Sequence, residues 1–254
     1  MAFWIDSHCH LDDIKFNHDL PEVLTRANQQ GVQQFIVAGV GFQQWPEQQR
    51  IKTLYPNIFN AYGIHPWFCD LHQDAHLEQL DALLSDSDTN NTVAVGECGL
   101  DLMPNRPDMD KQLWWFQAQL TLAKKNDLPL IIHSVKASDM VVQQLKKYPE
   151  SRGVIHGFSG SLQQANSFIN LGFLIGIGTR LIQANTTKTQ GLLTNLPLTS
   201  ILLETDAPDG LGKDARNEPA HLIQVANAMA KLRNQDSEAI LAACSKNAQE
   251  LFQL

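Results

Sequence analysis

Seven side chains suited to holding a metal stand where short apolar runs give out. His8 and His10 follow the run at 3–6, His65 follows 59–64 and Glu97 follows 92–96. His133 closes 129–133, His156 closes 153–156, and Asp206 lies just past 200–204. Imidazole nitrogens and carboxylate oxygens ligate divalent transition metals, and a carboxylate beside a metal can also take a proton from water. In D-S-H-C-H at 6–10, residues two apart in an extended segment project to the same side. His8 and His10 can therefore offer ring nitrogens to one cation at about 2.0–2.1 Å. Glu97 lies between Gly96 and Gly99, where missing side chains permit close approach, and its two oxygens can bridge two cations. A carboxylate at the end of a buried run demands a positive partner. His133 and His156 would then form a second ligand set with Glu97. Asp206 would come beside His8 and His10 if the last run closes against the first, with Glu204 deeper on the same face. Asp101 reads as a loop or helix-entry residue.

The runs that carry these residues are short, continuous and rich in Val and Ile, as buried parallel strands are. Eight of them are predicted, at 3–6, 34–40, 59–64, 92–96, 129–133, 153–156, 173–177 and 200–204. Helical segments lie between them. Asp19-Leu20-Pro21 opens one that Gly31 closes, and 110–126 carries apolar residues at 113, 116, 120 and 123 on one face. Another begins near Ser161 and ends at Gly172, and two more, near 218–233 and 236–252, finish the chain. Eight strands alternating with helices over 254 residues predict an α/β fold, a (β/α)8 TIM barrel, as a single domain spanning 1–254. The strand ends of such a barrel open onto one face, so the scattered ligands would converge there.

Composition narrows the function classes. Apolar residues make up 43% and Gly plus Pro only 26 of 254, which excludes disordered and collagen-like chains. The net charge of −8 excludes a basic coat for nucleic acid or membrane, though not a local basic rim. Four cysteines without a C-x-x-C pair predict free thiols and a cytoplasmic protein. The start of the chain has no secretory signal, no run is long enough to cross a membrane, and no obligate protein partner is evident. No P-loop, H-E-x-x-H, nucleophile elbow or dinucleotide fingerprint is found, and Gly176-Ile177-Gly178 reads as a point of close backbone approach.

The ordered motifs resemble those of the TatD-type metal-dependent hydrolases of the amidohydrolase superfamily. They are D-S-H-C-H at 6–10, G-I-H-P at 63–66, G-E-C-G-L-D at 96–101 and Q-x-x-x-F-x-x-Q-L-x-L-A at 112–123. I-H-S at 132–134, H-G-F-S-G at 156–160, E-T-D-A-P at 204–208 and N-E-P at 217–219 complete the set. The resemblance implies two divalent metals, one held by His8, His10, Glu97 and Asp206 and the other by Glu97, His133 and His156. It also implies that His65 touches substrate, and that the activity is phosphodiester hydrolysis, as in a DNase or 3′–5′ exonuclease. Three departures lie near the mouth. Val135 stands where members often carry arginine, so either Lys136 takes over or the phosphate grip is weaker. Gly157 replaces a usual cysteine, and Leu102-Met103 replaces an aromatic.

Such a centre would activate a water, with Asp206 and Glu97 as catalytic carboxylates. A histidine-rich set suits Zn, Mn, Ni or Fe better than Mg. Nucleic acid or a small phosphodiester is the expected substrate, met at the mouth by Arg106, Lys136, Arg180, Lys213 and Arg216 and bound in a salt-sensitive way. Trp67, Phe16 and Phe158 are candidates to stack a base or to serve as core and rim. The same ligands would equally attack an amide, lactone or carboxyl ester, and a non-catalytic binding protein is the remaining alternative.

Overall fold

A computed structural model of the chain describes residues 3–85, 92–184, 186–212 and 215–254. Eight strands form one parallel sheet in the order β1 to β8. They are β1 (Trp4–Cys9), β2 (Val32–Ala38), β3 (Ile58–Tyr62), β4 (Thr92–Asp101), β5 (Leu130–Val135), β6 (Gly153–Ile155), β7 (Phe173–Ile177) and β8 (Ile201–Leu203). Ten α-helices among the described residues wrap the outside. These are α1 (Leu20–Gln29), α2 (Trp45–Leu54), α3 (Asp74–Ser85), α4 (Met109–Lys125), α5 (Ser138–Leu145), α6 (Leu162–Ile169), α7 (Thr179–Ala184), α8 (Thr187–Asn195), α9 (Leu222–Arg233) and α10 (Ser237–Phe252).

The expected (β/α)8 barrel is thus present, and all eight predicted strands fall on observed ones. Two differ in a way that matters. β1 runs on to Cys9 and β4 to Asp101, so His8 and Glu97 lie inside strands instead of after them. No bounds are predicted for α2, α3, α5, α7 or α8, and the single connection between β7 and β8 holds two helices, α7 and α8. Their stretch is rich in threonine, a weak helix former, and α8 depends on Thr186, whose hydroxyl accepts the Thr189 N–H.

Apolar residues divide into two layers. Ile5, Ile36, Ala38, Ala61, Ala94, Ile131, Val154 and Leu202 pack together inside the barrel, where Phe252 at the end of α10 joins them. Their strand neighbours, such as Val37, Tyr62, Val95, Ile132, Ile155 and Leu203, belong to the larger layer between sheet and helices. Small interior side chains on β2, β3 and β4 leave the space above them to polar groups.

Closure between β8 and β1 occurs at the mouth. Asp206 N donates to His8 O at 2.9 Å, and His10 N donates to Ala207 O at 2.7 Å. Below them the buried Asp6 carboxylate accepts Thr205 N at 3.0 Å and Thr205 Oγ1 at 2.6 Å. Burial pushes the Asp6 carboxyl up to about 7, against the lowering effect of those two hydrogen bonds. All four cysteines are buried and unpaired, as expected for free thiols.

Candidate functional site

Simple alternation explains four of the inward side chains. From Ala61, Ile131, Val154 and Leu202 in the interior, a step of two brings His133, His156 and Glu204 inward, and a step of four brings His65. His8, His10 and Glu97 need something more. Ile5 faces inward and Cys9 outward, which regular pleating forbids, and the ladder of β1 shifts register between Asp6 and Cys9. On β4, Ala94 faces inward and Cys98 outward, with a register shift between Val95 and Cys98. Each irregularity reverses which residues face the mouth, the usual way a bulge re-aims a side chain. Gly96 lies within the second one, where a Cβ would meet Ile131, and Gly99 follows directly after it. The φ of Gly99 is +136°, and a Cβ there would collide with the carbonyl oxygen of His133.

Two glutamines of α4 hold these strand ends. Gln112 Oε1 accepts Asp101 N at 2.8 Å and its Nε2 donates to Asp101 O at 3.2 Å. Gln119 grips Ile64 in the same two-sided way, at 2.7 and 3.0 Å, immediately before His65. Asn217 donates to Thr205 O at 2.7 Å and fixes the segment ahead of Asp206.

The result is a compact constellation. His8 Nε2 and His10 Nε2 are 3.2 Å apart. Glu97 Oε2 lies 3.4 and 3.7 Å from them, and Asp206 Oδ1 3.6 and 3.5 Å. A cation held tetrahedrally at about 2.0–2.1 Å sets its ligand atoms about 3.3 Å apart, close to the separations among His8, His10 and Asp206, which form one candidate cation group. The other oxygen of Glu97 serves a second group. Oε1 is 2.6 Å from His156 Nε2 and 2.9 Å from His133 Nδ1, and those nitrogens are 3.3 Å apart. Glu97 thus reaches both groups, one oxygen to each.

The outer atoms of the rings set what the inner ones can do. His10 Nδ1–H donates to Ala38 O at 2.8 Å, which turns Nε2 to the site. His133 Nε2–H donates to Asp101 Oδ2 at 3.1 Å, leaving Nδ1 to face Glu97. His65 is the reverse case. Its Nδ1 accepts Trp67 N–H at 3.1 Å, so its proton sits on Nε2 and points at Glu97 Oε1, 3.1 Å away. His65 is within ligand reach, but this geometry makes it a hydrogen-bond donor.

Charge is balanced by protons when no cation is present. Burial opposes ionisation of Glu97, yet His156, His65 and His133 hold its carboxyl well below the usual range. Burial likewise opposes protonation of His10 and His156, but Asp206 and Glu97 raise His10 to about 10, and Glu97 raises His156 to about 9. Desolvation instead drives His8 and His65 down to about 4. The carboxylates therefore attract positive charge to the places a cation would take.

Asp101 is the residue that sequence reasoning undervalued. Buried at 1% exposure, it accepts from His133, from Trp67 Nε1 at 2.5 Å, from Arg106 Nε at 3.3 Å and from Met103 N at 2.8 Å. The C-G-L-D spacing was the available signal, since alternation from Gly99 puts Asp101 beside β5. Glu204 is fully buried and accepts Gly157 N at 2.5 Å. Gly176 gives it room, because a Cβ there would meet Glu204 Oε2, in keeping with the close approach expected at Gly176-Ile177-Gly178.

A cavity of about 500 Å³ opens over the constellation, with Trp67, Arg106 and Arg180 in its wall. Lys136 is exposed and is not among the lining residues. Arg216 is occupied by Asp19 at 2.6 Å and Glu218 at 2.8 Å, away from the cavity wall, and Lys213 lies outside the described residues. Phe16 is a buried core residue; Phe158 is buried but lines the cavity, and Trp67, also in its wall, is 43% exposed.

A family model described as TatD related DNase matches residues 5–253. The chain is 39% identical to the uncharacterized metal-dependent hydrolase YjjV of Escherichia coli K12, over 98% of this chain and 97% of that protein. It is 31% identical to the 3′-5′ ssDNA/RNA exonuclease TatD of a Rahnella species, over 96% of both. The crystal structure of YjjV, a TatD homolog from Escherichia coli, superimposes with a TM-score of 0.93 at 38% identity, covering 99% of this chain and 98% of that one. The chain belongs to the TatD-related DNase family.

Proposed function

We propose that this hydrolase cleaves phosphodiester bonds of nucleic acid with two divalent cations in the barrel mouth. The observation that carries the reading is the sharing of Glu97 between two nitrogen-rich ligand groups beneath a cavity with arginines in its wall. His8, His10, Glu97 and Asp206 would hold one cation, and Glu97, His133 and His156 the other. Cations bound there would bring the pKa of a water toward about 7 and draw charge from the attacked phosphoryl group. The chain supplies the rest. Asp206 reaches the cavity with 18% of its side chain exposed, where it can orient that water and receive its proton. His65 lines the cavity beside Glu97, where it would touch the substrate. The mixed nitrogen and oxygen donors favour Zn, Mn, Ni or Fe over Mg. The relatives named as exonucleases for single-stranded DNA and RNA support nucleic acid as the substrate class.

The test is hydrolysis of single- and double-stranded oligonucleotides, p-nitrophenyl phosphodiesters, phosphomonoesters and carboxyl esters across a titration of Mn2+ or Zn2+. Metal-dependent cleavage of the diesters is expected. Asp206→Asn should keep part of its metal and lose at least about a hundredfold in turnover. Turnover of the carboxyl ester alone would replace this reading with an amidohydrolase-type one.

A further inference from the structure

We infer that Arg106 is a specificity-determining residue that grips a second, non-reacting phosphate of the substrate, so that the site favours nucleotides carrying a phosphate beyond the scissile one. The inference rests on the phosphodiester reading above and deepens it. Among the described residues, Arg106 and Arg180 are the two basic aliphatic side chains in the cavity wall. They differ in how they are held. Arg180 is 71% exposed, and its nearest carboxylate oxygen, on Asp206, is 3.9 Å away. Arg106 is 28% exposed and fixed from two directions. Its Nε donates to Asp101 Oδ2 at 3.3 Å, and its guanidinium carbon lies 3.9 Å from the centre of a Trp67 ring.

Those two contacts use one edge and one face of the guanidinium. The terminal nitrogens have no hydrogen-bond acceptor among the described residues. A planar fork already locked in place, with its outer N–H groups free, is suited to bidentate capture of a phosphate at low entropic cost. Arg106 Nε is linked to the Glu97 oxygens only through the Asp101 carboxylate and the imidazole of His133, two side chains in series. That spacing points to a different anion on the outer edge of Arg106 from the one reacting at the ligand cluster. The surroundings also favour a fixed positive edge there, because Asp13 and Asp209 line the same cavity and repel added phosphate.

The test is a cycle between Arg106 and the extra phosphate, using thymidine dinucleotides with free ends or with a single 3′- or 5′-terminal phosphate. In the Mn2+-loaded wild type, one terminal phosphate should raise kcat/KM by about tenfold or more, mostly through KM. In Arg106→Gln that gain should vanish, and Arg106→Lys should keep part of it. An undiminished gain in Arg106→Gln overturns the inference. So does an equal fall for all the dinucleotides together with loss of bound metal, which would mean that Arg106 acts only by bracing Asp101. If the wild type cleaves no dinucleotide, the phosphodiester reading fails first. Calorimetry on the same metal-loaded proteins then decides the inference separately. Thymidine 3′,5′-bisphosphate should bind more tightly than thymidine 5′-monophosphate to the wild type and not to Arg106→Gln. Equal preference in both proteins overturns the assignment.

Discussion

Replacing Asp101 with asparagine preserves shape while removing charge, and the surrounding donors dictate the outcome. Asp101 Oδ2 faces three N–H groups, from His133 Nε2, Trp67 Nε1 and Arg106 Nε, while Oδ1 faces Met103 N–H. The new amide has one acceptor for these two sides. With its carbonyl toward Oδ2, Met103 N–H meets an NH2 group, and the remaining bonds lose their ionised acceptor, which roughly halves the strength of the one from Trp67 and weakens the one from His133, while Arg106 keeps its charged donor. With its NH2 toward Oδ2, His133 must move its proton to Nδ1, the atom that faces Glu97. A protonated Nδ1 cannot ligate. Either arrangement weakens the group formed by Glu97, His133 and His156. Loss of such an outer carboxylate typically costs about 10–100-fold in metal affinity, or about 1.4–2.7 kcal/mol. The group formed by His8, His10 and Asp206 makes no direct contact with Asp101 and should keep its affinity. Titration of metal-stripped protein with Zn2+ against a competing chelator resolves the two. Unchanged affinity at the weaker step, or an equal loss at both, would refute the argument that Asp101 acts through His133.

Metal uptake near pH 7 should release protons, at least one each from His10 and His156, whose values lie near 10 and 9 when no cation is bound. Calorimetry in buffers of different ionisation heat measures this, and no proton release contradicts it. In metal-free protein these raised values mean a stabilisation that is complete below about pH 6.5 and lost as pH climbs through 9 to 10, visible as a falling urea midpoint. Gly99→Ala should destabilise by at least about 2 kcal/mol, because an L residue is strained at φ +136° and its Cβ meets the His133 carbonyl; an unchanged urea midpoint would disprove it. Asp6→Ala leaves Thr205 N–H and hydroxyl without their acceptor inside the barrel seam, at a cost of about 2–4 kcal/mol. It should also weaken metal binding at His8, His10 and Asp206 more than at His133 and His156, and a uniform loss at both groups would show that the seam does not position Asp206.

The amino-acid sequence by itself carried the strand count, the barrel and the residues that converge as the candidate ligand set. Apolar runs of parallel-strand character are local, and so is the placing of His65, His133, His156 and Asp206 just at or past their ends. Period-two alternation from the interior residues Ala61, Ile131 and Val154 is enough to turn the first three of these inward. Tertiary structure decided the remainder. Regular pleating from Ile5 and Ala94 would have sent His8 and Glu97 to the outer layer, and only the register shifts in β1 and β4 bring them to the mouth. Those shifts arise from pairing with neighbouring strands, which no local pattern records. The role of Asp101 was hidden for the same reason. Its partners, His133 and Trp67, are distant along the chain, and a carboxylate's meaning is set by which donors the folded barrel brings against it.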